Sequence, residues 1–161
     1  MSLPSNVVLR EAQAEDLPLF FEHQLDPEAN YMAAFTAKDP TDQQAFMAHW
    51  ARILGDATIT TRTILIEGQV AGSVSCYEES PGHLEVTYWL GKPYWGKGIA
   101  TAALRALLAQ VTTRPIYARA AKDNRASLRV LEKCGFTIIG EDKGFANARG
   151  QEIEEWLLQL R

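Results

Sequence analysis

The spacing of apolar residues along the chain predicts alternating helical and extended segments. Apolar positions three or four apart predict helices, whereas alternating or β-branched runs predict strands. The helices are expected over 16–25, 41–55, 99–111 and 124–135, and the strands over 7–10, 58–66, 70–77, 84–90, 115–120, 136–145 and 151–160. The pairs Asp26-Pro27 and Asp39-Pro40 are typical of breaks, so residues 26–40 are expected to be irregular.

These elements follow the order β-α-α-β-β-β-α-β-α-β-β. Three consecutive strands ahead of the first βαβ unit imply an antiparallel half joined to a parallel half. The pattern therefore predicts an α+β fold with a mixed sheet and helices on both faces. The 161 residues contain no linker, repeat or low-complexity tract, so a single domain over 1–161 is expected.

Composition and charge exclude several classes of partner. The hydrophobic fraction of 47% and charged fraction of 22% are typical of a globular protein. The net charge of −4 argues against nucleic acid, which is bound through clustered cations. No uninterrupted apolar run approaches the roughly 18 residues of a membrane span, so no membrane partner is expected.

The cysteines and histidines indicate neither a disulfide framework nor a metal site. Cys76 and Cys134 lack C-x-x-C spacing, and the N-terminal residues resemble no signal peptide. Free thiols in a reducing, cytoplasmic compartment are therefore expected. The three histidines are dispersed, and none forms a pair with metal-ligand spacing, so no metal is predicted.

The run from Pro93 to Thr101 is the segment most informative about chemistry. It joins a predicted strand to a predicted helix, and it contains Gly96 and Gly98 two residues apart. Glycines let backbone amides curl around an anion, and the N-terminus of the following helix directs free N–H groups to the same place. The segment therefore predicts a phosphate-binding turn.

Two nucleotide-binding patterns fit this turn poorly. Residues 91–98 nearly match the P-loop G-x-x-x-x-G-K-[ST], but Gly98 has no hydroxyl to bind Mg²⁺ and four strands precede it. The dinucleotide pattern G-x-G-x-x-G fails at Thr101, where the third glycine should stand. The first acidic residue downstream, Asp123, lies beyond the next strand, just before another helix.

A third pattern matches an acyl-coenzyme A site. Residues 95–100 resemble the pyrophosphate motif Gln/Arg-x-x-Gly-x-Gly/Ala of the GCN5-related N-acetyltransferase (GNAT) superfamily, with Trp95 at the Gln/Arg position. The stretches 88–90 and 94–96 resemble the branch that contains ribosomal-protein and diamine acetyltransferases. Residues 124–136 resemble the family block Asn-x-x-Ser-x-x-x-x-Glu-Lys-x-Gly-Phe. The resemblance is close over 84–136 and follows the element order over 7–158.

This resemblance implies a mostly antiparallel sheet of about seven strands and an acetyl-CoA-dependent N-acyltransferase without a metal. The acceptor would be a primary amine of a protein N-terminus, polyamine, amino acid or small molecule, attacking directly in a ternary complex. The family contains many dimers, so a homodimer is compatible with the resemblance. A non-catalytic acyl-CoA sensor would carry the same motifs and stays open as the alternative.

The resemblance also implies where the cofactor binds. The thioester would lie between two diverging parallel strands, with its carbonyl at backbone amides near Trp89 and Leu90. Asn124 and Ser127 would face the cofactor from the next helix, although a plain N-cap and an exposed hydroxyl are the simpler interpretations. The amides expected to bind pyrophosphate belong to Trp95, Gly96, Lys97, Gly98, Ile99, Ala100 and Thr101.

Two proton transfers need side chains. Many relatives protonate the leaving thiolate with a tyrosine of the second-motif helix, but this helix has none, so Ser127 is the expected acid. The base that deprotonates the amine is expected to be Glu85, with Glu152 and Glu154 as alternatives. The acceptor pocket is expected between residues 17–25, 26–40 and 146–150, and the sequence does not identify the acceptor.

Overall fold

A computed structural model describes residues 6–161 and shows a single seven-stranded sheet. The strand order is β1-β2-β3-β4-β5-β7-β6, and every neighbouring pair is antiparallel except β4–β5, which is parallel. The predicted α+β fold with a mixed, mostly antiparallel sheet is therefore confirmed. The strands are β1 Val7–Glu11, β2 Thr60–Ile66, β3 Gln69–Ser80, β4 His83–Leu90, β5 Ile116–Ala121, β6 Thr137–Ala146 and β7 Gln151–Leu160.

Five helices cover the two faces of this sheet. Helices α1 to α3 pack on one face, mainly over β3, β4 and β5, and α4 and α5 pack on the other. None of the helices within residues 6–161 is both long and apolar enough to cross a membrane. The helices are α1 Leu17–Leu25, α2 Pro27–Ala33, α3 Gln43–Leu54, α4 Ile99–Gln110 and α5 Arg125–Lys133.

The main core lies between α4 and the sheet. The apolar stripe of α4 is buried from Ile99 to Leu108, with Leu104 and Leu107 fully inaccessible. These side chains meet Ile64, Val74 and other residues of the central strands. Burial of each large aliphatic side chain contributes about 1.5–3 kcal/mol, so this stripe fixes α4 firmly on the sheet.

The expectation that residues 26–40 are irregular is wrong, because α2 occupies 27–33. The Asp26 carboxylate accepts a hydrogen bond from the Ala29 amide at 2.9 Å, and Pro27 takes the first helical position. An Asp-Pro pair is thus a helix start here, since Pro is tolerated where the N–H would be unpaired anyway. The observed order is β-α-α-α-β-β-β-α-β-α-β-β.

Strands β4 and β5 separate along their length. Their register contains a single pair, Glu85 opposite Tyr117, whereas β4 pairs with β3 along almost its whole length. Past that pair, residues 86–90 and 118–121 enclose an opening that we call the β4–β5 cleft. The divergence expected from the family resemblance is present in the fold.

Candidate active site

The edge of β4 that faces the cleft offers free backbone groups. Beyond Glu85, β4 has no strand partner on its β5 side, so the groups there can pair with an extended ligand. Trp89 and Leu90 lie on this part of β4, where the sequence predicted contacts to an acyl carbonyl. The cleft is therefore a gap in the sheet, along which one edge of β4 has no strand partner.

The glycine turn and α4 form an uncapped helix N-terminus beside the end of β4. Gly96 and Gly98 have φ of 73° and 77°, in the left-handed region that favours glycine. Gly98 is the N-cap, and no side chain caps the helix. The first helical bond in this turn runs from the Ala102 amide to the Gly98 carbonyl at 3.1 Å. The amides of residues 99–101 are consequently free for an anion, which the helix dipole also favours.

Trp95 fixes the position of this turn, and Lys97 gives it a positive charge. The Trp95 indole N–H donates to the Leu90 carbonyl at 2.8 Å, which ties the turn to β4. Lys97 is exposed, so its ammonium is accessible to a phosphate. Ile99 and Thr101 are buried, so these two predicted residues can offer only their backbone amides.

Asn124 is the N-cap of α5. Its side-chain oxygen accepts a hydrogen bond from the Ser127 amide at 3.2 Å, and its Nδ2 donates to the Met32 carbonyl at 3.2 Å. Both ends of the amide are therefore engaged within the chain. In the structure, Asn124 therefore caps the N-terminus of α5 and joins this helix to α2.

Ser127 and Tyr88, a residue of the cleft edge of β4, form a hydrogen bond. Tyr88 Oη donates to Ser127 Oγ at 2.9 Å, linking β4 to α5. Burial raises the pKa of Tyr88 to about 12, so the phenol keeps its proton at neutral pH. Because the serine oxygen accepts this bond, its own O–H is free to donate to another acceptor. Tyr88 was not among the site residues expected from the sequence; its signal there is a hydroxyl on the apolar face of β4, which needs a partner when buried.

Glu85 lies at the base of the cleft in a dense polar network. Its side chain is 3% exposed and has Tyr77 Oη, His83 Nε2 and Arg119 Nε at 3.3, 3.1 and 3.3 Å. Burial, and then the negative charge of Glu85, raise the pKa of Tyr77 to about 12. A carboxylate offers about four lone-pair sites, so roughly one stays available to a further partner.

Arg119 balances the charge of this network. It also contacts Glu155, a buried carboxylate that the sequence analysis missed, at 2.9 Å. Burial alone would lower the pKa of Arg119, but hydrogen bonds to Glu155 and Glu85 raise it. Glu79, His83 and Glu85 place ligand atoms within 4.8 Å of one another, yet Arg119 already supplies the positive charge there.

The alternative bases lie in a different environment. Glu152 and Glu154 are exposed on β7. Their carboxylates pair with lysines, Glu152 with Lys143 at 3.7 Å and Glu154 with Lys122 at 3.1 Å. The geometry places Glu85, and not these two residues, at the base of the cleft.

A cavity that we call the second cavity, to distinguish it from the β4–β5 cleft, lies on the opposite face of the sheet from α4 and α5. All three segments expected to form an acceptor pocket contribute to its walls, and its volume is about 250 Å³. Arg149 of the β6–β7 turn stacks on Tyr31 at 3.9 Å and bonds both Asp123 carboxylate oxygens at 2.8 and 2.9 Å. The lining residues are Leu25, Pro27, Asn30, Tyr31, Thr36, Ala37, Lys38, Pro40, Asn147 and Ala148.

Known proteins share this architecture. The chain is 24% identical to the uncharacterized N-acetyltransferase p20 of Bacillus licheniformis over 96% of this chain and 92% of that protein. The spermidine N-acetyltransferase of Vibrio cholerae, solved with CoA and spermine, superposes with a TM-score of 0.84 at 16% identity, covering 98% and 96% of the two chains. RimL, a ribosomal L7/L12 alpha-N-protein acetyltransferase solved with coenzyme A, gives 0.80 at 20% identity, covering 97% and 95%.

The sequence model of the acetyltransferase (GNAT) domain matches residues 6–137, which is most of the chain. The matched region contains residues 88–90, 94–100 and 124–136, on which the resemblance rested, and it also contains the β4–β5 cleft. The chain belongs to the GNAT family of acetyltransferases.

Proposed function

We propose that this protein transfers the acetyl group of acetyl-CoA to a primary amine in a ternary complex. The observation that carries the proposal is the Tyr88–Ser127 hydrogen bond, which holds a donor-competent hydroxyl at the cleft beside an uncapped helix N-terminus. The relatives solved with coenzyme A and with spermine support it. A binding module would need the anion site but not the hydroxyl pair.

The cofactor is held mostly by backbone. The Trp95 amide donates to the Lys92 carbonyl at 3.1 Å, so the expectation that it binds pyrophosphate is wrong. The amides of residues 96–101 and the Lys97 ammonium bind the pyrophosphate, because free N–H groups at a helix N-terminus stabilise negative charge. The pantetheine arm takes the place of the missing strand along β4. The amides near Trp89 and Leu90 hold the acyl carbonyl and stabilise its developing oxyanion.

The chemistry requires one bond to form and one to break. The neutral amine attacks the thioester carbon, a C–N bond forms, and the C–S bond breaks to release the thiolate. Ser127 donates its proton to the sulfur while Tyr88 donates a hydrogen bond to the serine oxygen, and the serine regains a proton from the attacking nitrogen, which must lose one to become an amide. Glu85 accepts the proton of the ammonium through water, using its remaining lone-pair site.

The test is thiol release from acetyl-CoA with a panel of peptides, polyamines, amino acids and aminoglycosides. We expect at least one amine to release thiol at a rate well above hydrolysis and to yield its N-acetyl product by mass spectrometry. Calorimetry on the same protein measures acetyl-CoA binding separately. Tight binding without release by any amine would contradict catalysis and favour the acyl-CoA sensor.

A further inference from the structure

A small cavity with aromatic walls lies between α1, α3 and the β3–β4 strands. Its volume is about 80 Å³, and we call it the aromatic cavity. The rings pack closely, with Phe20 and Trp50 centroids 4.9 Å apart and Phe46 and Trp50 centroids 6.3 Å apart. It is lined by Phe20, His23, Gln24, Phe46, Trp50, Ser73 and Trp89.

Two of the residues that line this cavity each have a buried side-chain polar atom with no hydrogen-bond partner within residues 6–161. These atoms are Trp89 Nε1 and His23 Nδ1. Buried polar atoms are almost always paired, and an unpaired one costs about 1–3 kcal/mol. The third such side-chain atom in the described part of the chain, Thr36 Oγ1, belongs to the lining of the second cavity. All three therefore occur in residues that line cavities on the α1–α3 side of the sheet.

The chemistry of the lining restricts what the aromatic cavity can bind. The Trp89 indole can only donate, so its partner must present an acceptor atom, and an ammonium group has none. Burial lowers the pKa of His23, so the imidazole is neutral at pH 7. No acid or base that is charged at that pH lines the cavity, so a carboxylate would be buried without a counter-charge, at high cost.

The position of Trp89 connects the cavity to the cleft. Trp89 lies on β4 beyond the last pair of that strand with β5, and its ring lies among the α1 and α3 side chains. His23 is fixed at the same place, since a Cβ on Gly91, the residue after β4, would meet the imidazole at 2.8 Å. The cavity is thus adjacent to the end of β4 where the acyl group is proposed to bind.

We propose that the aromatic cavity is an acceptor subsite for an uncharged oxygen group, an amide carbonyl or a hydroxyl. The oxygen accepts from Trp89 Nε1–H, His23 Nδ1 makes the second contact, and the aromatic rings cover the attached carbons. About 80 Å³ admits an amide or hydroxymethyl group but not a whole acceptor. The assignment of this subsite to the acceptor rests on the proposed acetyl transfer. The preference of the cavity for an uncharged oxygen group does not depend on that proposal.

Binding is tested by NMR of the tryptophan indole N–H signals, with the Trp89 signal assigned by Trp89→Phe. The probes are N-methylacetamide, 2-propanol, acetate and methylammonium at equal concentrations. We expect the first two to shift the Trp89 signal and the last two to leave it unchanged. The Trp95 indole, already bonded to Leu90, is the internal control. No shift with any probe, as for a cavity that holds water only, or equal shifts with all four, would overturn the subsite.

The link to the acceptor is tested by turnover of alaninamide, alaninol, alanine and isopropylamine, which share one skeleton. We expect the amide and the alcohol to have KM values about tenfold lower than the other two, and Trp89→Phe to remove that advantage. Equal KM values for all four in both proteins would overturn the acceptor assignment. If no amine releases thiol while N-methylacetamide still shifts Trp89, acetyl transfer fails and the binding preference stands.

Discussion

At the scale of single residues, the candidate site is set by pairs of side chains from distant parts of the chain. The motif containing Ser127 is local, so the sequence was enough to select this residue as a candidate acid. Tyr88 could not be selected, because its partner lies 39 residues away and strand alternation specifies a face but not a contact. The salt bridges around Glu85 could not be predicted for the same reason, because Arg119 and Glu155 come from other strands.

Ser127→Ala should lower kcat by about 10²–10⁴-fold while leaving the Kd for acetyl-CoA nearly unchanged, because the hydroxyl acts in proton transfer. Tyr88→Phe should give a smaller loss of kcat, since it supports the serine and does not replace it. Steady-state kinetics and calorimetry measure the two quantities. Ser80→Ala, an exposed serine at the end of β3, is the matched control. Weakened acetyl-CoA binding with normal kcat would make Ser127 a binding residue instead.

At the scale of elements, the proposed anion site depends on the start of α4, a helix N-terminus with no side-chain cap. The helix predicted over 99–111 is observed as α4 with its apolar face buried, and the glycine turn lies where the sequence predicts it. α2 was missed because Asp26-Pro27 is compatible with either a break or a cap. Only the hydrogen bond from Ala29 to the Asp26 carboxylate distinguishes the two.

Gly98→Asp should weaken acetyl-CoA binding by at least about tenfold, because a carboxylate at the helix start repels the pyrophosphate. The substitution also strains a residue with φ of 77°. Gly68→Asp is the matched control, since Gly68 has φ of 80° in the β2–β3 turn and open space around it. Calorimetry on both folded variants separates charge at the site from backbone strain. Equal affinities in the two variants would contradict the pyrophosphate assignment.

At the scale of the whole molecule, Asp16 joins three elements. Its carboxylate accepts two hydrogen bonds from Arg10 of β1 at 2.7 Å each and one from Thr63 of β2 at 2.7 Å, immediately before α1 begins. Burial disfavours its charge, but these bonds and the Gln13 amide outweigh that effect and lower its pKa to about 2. The charged form of Asp16 therefore stabilises the folded state.

Asp16→Asn should reduce the free energy of unfolding at pH 7 by about 2 kcal/mol, from the difference between folded and unfolded pKa values. Because the folded pKa is the lower one, the contribution is complete above about pH 4 and is lost as pH falls towards about 2. Urea unfolding at pH 7, 4 and 2.5 measures this. The variant should show a smaller loss across the acidic range than the parent chain. Parallel curves would contradict the role of Asp16.

The sheet shows where sequence-based prediction stops at this scale. The periodicity of apolar residues identified every strand, and the element order gave the mixed sheet. It did not give the position of β7 between β5 and β6, because the choice of neighbours depends on long-range packing. The residues that line the two cavities could not be predicted in detail for the same reason, because the cavity walls come from separate segments.

The contacts of Arg149 have a further thermodynamic consequence. Arg149 joins the β6–β7 turn to Tyr31 of α2 and to Asp123, and Asn124 joins α5 to Met32. On the proposed assignment, α2 lies on the acceptor side and the start of α5 on the cofactor side, and these contacts hold the two in a fixed relation before either substrate arrives. Less conformational entropy is then left to lose when a substrate binds, which favours the affinity for both.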